Sequence, residues 1–146
     1  MYKVKHSDSK NVFIIEVKDS TNHKEIIEFL QVVVDNKDDT IDDEMLYLIT
    51  DYDNVHIEEE SPQPIKKIAK FVDNILAKKY NQIKWALTAN TRMPVAGSIY
   101  LKSLVKSENI NIEVFSTREA TYTWMSLDKK EFADLTEIIN SNELEE

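Results

Sequence analysis

The sequence predicts an α/β domain: a mixed, mostly parallel five-stranded sheet with alternating helices, plus an extra amphipathic helix at the C-terminus. Three observations predict it. Apolar runs of strand length alternate along the chain with stretches whose apolar residues recur at helical spacing. The central apolar runs are nearly continuous, as strands covered on both faces require, while the first and last alternate with polar residues. The 146 residues, 42% hydrophobic and 31% charged, suit one globular domain.

Tyr2, Val4 and His6 alternate with lysines, the pattern of an edge strand with one buried face. Val12-Phe13-Ile14-Ile15-Glu16-Val17 reads as a strand covered on both sides. Asn22 with Glu25 three residues on has the spacing of a helix capping box, and Ile26, Ile27, Leu30, Val33 and Val34 continue the helix to about Asn36. An acidic stretch (Asp38, Asp39, Asp42, Asp43, Glu44) leads into Met45-Leu46-Tyr47-Leu48-Ile49, a second central strand, with a loop over residues 51–60. Ser61-Pro62 has the form of an N-cap followed by proline, whose missing N–H costs nothing in the first turn. Ile65, Ile68, Ala69, Val72, Ile75 and Leu76 give that helix its buried stripe, and Lys66, Lys67, Lys70 and Lys78 its basic face.

Residues 83–89 form the next strand and 91–107 the next helix, with Pro94 tolerated in its first turn. Ile110, Ile112 and Val114 alternate with Asn111 and Glu113 as the other edge strand. Ser116-Thr117-Arg118-Glu119 is a capping box for a helix through Ala120 and Trp124, and Asp128-Lys129-Lys130-Glu131 repeats the signal before Phe132, Leu135, Ile138 and Ile139. The first two strands are joined too briefly for a crossover, so the first runs antiparallel or is displaced. Residues 1–127 make the α/β domain, and 128–146 the additional helix and an acidic tail. A helix of that length is marginal alone in water, so it must dock on its own sheet or on a neighbouring subunit.

Composition excludes several function classes. Without cysteine there is no disulfide, zinc thiolate or cysteine nucleophile. The single glycine, Gly97, beside eleven asparagines rules out a Rossmann fingerprint or a P-loop. A net charge of −9 disfavours nucleic acid and anionic lipid surfaces. No apolar run approaches ~20 residues, and the first residues have no apolar signal core, so a cytoplasmic location without a membrane span is expected.

The element order, with edge strands first and last, is similar to the STAS domain of anti-sigma-factor antagonists and sulfate transporters. It most resembles the small bacterial proteins grouped with stage II sporulation protein AA. The residues that carry the likeness are Tyr47-Leu48-Ile49-Thr50-Asp51-Tyr52, Lys84-Trp85-Ala86-Leu87-Thr88-Ala89 before a helix, and Ile112-Glu113-Val114-Phe115 before Arg118-Glu119-Ala120 and Trp124. The resemblance implies a protein-interaction or ligand-sensing module, usually without catalysis. It also implies a serine or threonine, shortly after the third strand, phosphorylated by a partner kinase. This chain departs there: Tyr52-Asp53-Asn54-Val55-His56-Ile57 and three glutamates follow Asp51, leaving Ser61 as a displaced substitute.

Ligands of open α/β sheets meet the carboxyl ends of parallel strands. Both arginines of the chain, Arg92 and Arg118, fall there beside helix starts, with Asn90 and Thr91, as a candidate site for a phosphate or carboxylate. The opposing reading pairs Arg92 with Asp51 or Asp53 and leaves Arg118 in a solvated first turn. Asp51 and Asp53 are the strand-end acids, candidates for a catalytic base; with Glu58, Glu59 and Glu60 they lack the ordered ladder of a calcium loop. His6, His23 and His56 have no zinc spacing. Ser98 after Gly97 has no strand-to-helix elbow around it, so a serine nucleophile is not indicated. The expectation is a non-enzymatic binding or regulatory module without catalytic residues, metal or cofactor. Its partner is another protein or a second copy in a homodimer. The alternatives are a small-anion binder and an enzyme using a strand-end carboxylate.

Overall fold

The computed structural model describes residues 1–6, 12–37, 45–53, 55–57, 62–125 and 143–145. The strands are β1 (Tyr2–His6), β2 (Val12–Val17), β3 (Ser20–Thr21), β4 (Met45–Tyr52), β5 (His56–Ile57), β6 (Gln82–Ala89), β7 (Ile110–Phe115) and β8 (Glu143–Glu145). The helices are α1 (His23–Asp35), α2 (Gln63–Phe71), α3 (Ala77–Lys79), α4 (Arg92–Leu104) and α5 (Arg118–Trp124). A π-helical segment (Val72–Leu76) joins α2 to α3.

The five expected strands form the body of the main sheet in the order β7-β6-β4-β2-β1. The four from β7 to β2 are parallel, and β1 is antiparallel to β2, as the short connection requires. Two pairings lie outside the sequence expectation. β8 runs antiparallel along β1, so the first strand is not the outer edge, and part of the acidic tail is strand. Such pairing joins backbone N–H and C=O groups, and an edge strand presents a row of them. β3 and β5 make a separate two-residue parallel pair where the 51–60 loop was expected. Residues 128–142 of the expected C-terminal helix and tail and the candidate phosphorylation site Ser61 lie outside the described residues, as do Glu58, Glu59 and Glu60.

Each step β2→β4→β6→β7 moves in the same direction across the sheet. Right-handed crossovers then deliver all three connecting helices to one face. Phe29, Leu30 and Val33 of α1, Ile68 of α2, Val72 and Leu76 of the π-helical segment and Leu101 of α4 are buried there against Phe13, Ile15, Leu46, Leu48, Trp85 and Leu87. α5 lies on the other face, where Met125 and Trp124 pack with Val12, Ile14, Ile49, Ala86 and Phe115. Two polar side chains in the core pair across it. Trp85 Nε1–H donates to Thr50 Oγ1 at 3.0 Å, and the Tyr80 hydroxyl donates to the Val33 carbonyl at 3.1 Å.

The predicted cap of α1 is present: Asn22 Oδ1 accepts the Glu25 N–H at 3.0 Å. The Glu25 side chain instead receives the N-terminal ammonium at 2.6 Å, which ties β1 to α1. The cap of α5 falls one residue later than expected, on Thr117, whose Oγ1 accepts the Ala120 N–H at 3.2 Å. Asp73, on the π-helical segment, holds the connection between α4 and β7. Its Oδ1 accepts the Ser107 N–H at 3.0 Å and the Ser107 Oγ–H at 2.6 Å, and the Lys106 N–H donates to it at 3.1 Å.

Candidate functional site

Side chains alternate along β4, so consecutive residues at its carboxyl end serve opposite faces. Tyr52 joins the core beneath the crossover helices, and Asp51 faces the side that carries α5. Asp51 therefore does not belong to a loop, as the sequence suggested; it extends the strand. Directly across from it, Arg118 is the first residue of α5. That helix is anchored on β6 by the buried contact of Thr88 Oγ1 with Thr121 Oγ1 at 2.7 Å.

Arg118 Nε–H donates to Asp51 Oδ2 at 2.8 Å, and Arg118 Nη2 lies 3.4 Å from Asp53 Oδ2. Asp51 Oδ1 accepts the backbone N–H of Asp53 at 3.0 Å, closing a turn at the strand end. The remaining oxygen of Asp53, Oδ1, accepts from Asn90 Nδ2. Three of the four carboxylate oxygens thus accept a hydrogen bond from the chain itself, and the fourth, Asp53 Oδ2, has the Arg118 ion pair. The hydrogen bond to Asp51 holds the Arg118 guanidinium above its ordinary pKa; burial works against this, and the charges of Asp51 and Asp53 add to it. Thr91 Oγ1–H donates to the Val55 carbonyl at 2.8 Å.

The cluster borders a cleft of about 510 Å³ with Ile14 and Ile49 among its lining. Glu16, Lys18, Asp19, Asp51, Asp53, Arg118 and Tyr122 supply its polar lining, four carboxylates against two cations. Burial pushes the Tyr122 hydroxyl pKa up; Arg118 opposes this while Asp51 and Glu16 reinforce it. Asp19 holds a left-handed backbone with φ of 63°, which turns the chain sharply after β2.

Of the residues singled out from sequence, Asp51, Asp53, Asn90 and Arg118 are brought together. Thr91 is next to them but committed to Val55. Arg92 is exposed at the first position of α4 and is not part of the cleft lining. The pairing with Asp51 and Asp53 that was weighed for Arg92 is made by Arg118. Glu16, Asp19 and Tyr122 were missed. Glu16 shares the face of Ile14 by strand alternation, and that parity was the available signal; Asp19 and Tyr122 had none.

The described residues contain no group of three or more His, Asp or Glu side chains placed to hold a metal ion. Nor do they include a helix long and apolar enough to cross a membrane. No protein-family model matches the chain, and neither a curated protein nor a solved structure matches it.

Proposed function

We propose that the chain is a STAS-like, non-enzymatic regulatory module that acts by binding another protein or a ligand. The observation that carries this reading is the closure of the strand-end charges on one another. A general base or nucleophile needs a lone pair aimed at substrate space. At Asp51 and Asp53 three of the four oxygens accept a hydrogen bond from Arg118, Asn90 or the backbone, and the fourth faces Arg118 in an ion pair, so both carboxylates are engaged within the chain. Such a cluster stiffens a rim and gives it a fixed pattern of charge, the property of a recognition surface. The sheet order, with the antiparallel first strand at one end of the parallel set and Ile110–Phe115 at the other, supports the likeness to the STAS domain.

The test combines light scattering, a quantitative pull-down from the source cell, and a screen for hydrolase and transferase turnover. Wild type is expected to retain a partner, or a second copy of itself, that Arg118→Glu releases, with no turnover. Turnover that Asp51→Asn abolishes would replace this reading with an enzyme. A monomer that retains nothing would remove the regulatory reading.

A further inference from the structure

β8 is the last strand of the main sheet and runs antiparallel along the outer edge of β1. It is three residues long, against a usual strand of about 5–6. Its register with β1 has a chemical order. Lys3 stands opposite Glu145, Val4 opposite Leu144 and Lys5 opposite Glu143. A basic–apolar–basic strand thus meets an acidic–apolar–acidic one.

The direction of the backbone groups follows from the other side of β1. The Lys18 N–H donates to the Met1 carbonyl at 2.8 Å, which continues the β1–β2 ladder by one pair. Backbone groups alternate sides along a strand, so Lys3 and Lys5 direct theirs to β2, and Val4 directs its N–H and C=O to β8. Val4 and Leu144 are then the hydrogen-bonded pair. Lys3–Glu145 and Lys5–Glu143 are the narrow pairs, whose Cα atoms approach to about 4.5 Å. Opposite charges at directly opposed positions favour pairing, and like charges disfavour it. On its inner side β1 meets a strand with a single acid, Glu16, for the two lysines. Glu16 stands opposite Lys3 and accepts from Lys5 Nζ at 2.9 Å. Lys5 is only 8% exposed, and a buried ammonium needs acidic company. The basic excess of β1 is left for its outer neighbour.

We propose that the outer edge of β1 is a docking site for an extended protein segment in which acidic residues flank an apolar one. The chain's own Glu143-Leu144-Glu145 is the resident strand, and a partner segment of the same alternation displaces it. Strand addition of this kind draws affinity from the main chain and selectivity from alternate side chains. A segment of five residues pairs along all of β1, where the resident pairs with three. The inference does not rest on the regulatory reading of the strand-end charges, because β1 pairs through its own backbone whatever Arg118 holds.

The readout is hydrogen exchange at the Val4 amide of the full chain, with the Lys3 and Lys5 amides, bonded to β2, as internal controls. Leu144→Pro removes the donor opposite Val4. Val4 exchange should then rise at least roughly tenfold while Lys3 and Lys5 keep their rates. A peptide of residues 140–146 should restore Val4 protection in that variant, half-maximally at about 1 mM. The same peptide carrying Glu143→Lys and Glu145→Lys should need about ten times more. By amide shifts, wild type should bind the acidic peptide several-fold more weakly than Leu144→Pro, because the tethered resident competes. Oxidised Lys3→Cys/Glu145→Cys, which pins the resident in a chain with no other cysteine, should not bind it. Unchanged Val4 exchange in Leu144→Pro overturns the resident strand, and equal action of the two peptides overturns the acidic preference. Peptide binding to the pinned variant overturns the site. A disulfide formed between chains rather than within one makes a second copy the occupant and overturns the proposal as stated.

Discussion

Removing the Arg118 guanidinium tests whether the strand-end rim is held by its own charges. Two unit charges about 4 Å apart attract by about 1 kcal/mol in bulk water and about 4 kcal/mol at the effective dielectric of a protein surface. Asp51 is sequestered, with 12% of its side chain exposed, but Arg118 is 56% exposed, so the pair lies toward the aqueous end. The longer contact with Asp53, whose side chain is 35% exposed, belongs to the surface class, worth about 0–1 kcal/mol. Ordering a long arginine side chain offsets part of both. Arg118→Ala should therefore lower the unfolding free energy by about 1–1.5 kcal/mol, and the melting temperature by about 4 °C for a chain of this size. Asp51→Asn keeps an oxygen for the Asp53 N–H but sets an amide against the guanidinium. A double-mutant cycle of these two changes, read by urea denaturation, should give a coupling of about 0.5–1 kcal/mol. At 1 M salt, where screening acts over about 3 Å, the Asp53 share should vanish and most of the Asp51 share persist. A coupling under about 0.3 kcal/mol at low salt would refute the reasoning and leave Arg118 available to an outside ligand.

Trp85→Phe empties indole volume at a fully buried position and strips Thr50 Oγ1 of its donor, so denaturation should show a loss of about 2–3 kcal/mol. Adding Thr50→Val to that variant should cost less than Thr50→Val in wild type; strict additivity would deny the bond. Burial raises the Asp73 pKa, but the hydrogen bonds from Ser107 Oγ and the Lys106 and Ser107 amides, with the Lys106 charge, outweigh it and leave the carboxyl below its ordinary value. A depressed folded pKa stabilises above the unfolded value of ~3.9 and loses that contribution as pH falls through the folded value. Asp73→Asn should thus be less stable than wild type at pH 7, the gap closing only below about pH 4 in pH-dependent melting; a gap that widens with acid would contradict this. Inorganic phosphate at ~10 mM should leave the melting temperature unchanged. A rise that Arg92→Ala abolishes would make the α4 start an anion site after all.

Apolar period was enough to place the five main strands and the crossover helices, because burial of one face is what the period encodes. It stopped short at three places, each for a physical reason. β4 runs on through Asp51 and Tyr52; a carboxylate at a strand end reads as loop unless its guanidinium partner, 67 residues away, is known. The π-helical segment carries no glycine or proline to announce it, and the widened turn is held from outside by Lys106 and Ser107, which donate to its Asp73, and by Asn109, whose Nδ2 donates to the Ala77 and Tyr80 carbonyls just beyond it. The pairing of β8 with β1 is a backbone event in an acidic stretch, to which apolar period is blind. At the candidate site the residue types were legible and their grouping was not. Arg92 and Arg118 both open helices at the same end of the sheet, but α4 and α5 lie on opposite faces, and only Arg118 meets the acids.

The strand order also explains why the strand-end charges pair with one another and an apolar pocket lies elsewhere. Open α/β sheets form a ligand crevice where successive crossovers diverge to opposite faces, at a reversal of strand order. Here β2, β4, β6 and β7 follow one another without reversal, so no such crevice opens among the parallel strands. Charged groups at their carboxyl ends line the cleft beside α5, and Arg118, Asp51, Asp53 and Asn90 pair there. The apolar pocket opens instead on the other face, beneath the crowded crossover helices. It lies where α4 meets α2, beside Ile65 and Leu101, at the one residue of α4 without a side chain. On this argument, a bulky side chain at Gly97 should fill that pocket and leave the Arg118 network unaltered, because the sheet separates the two.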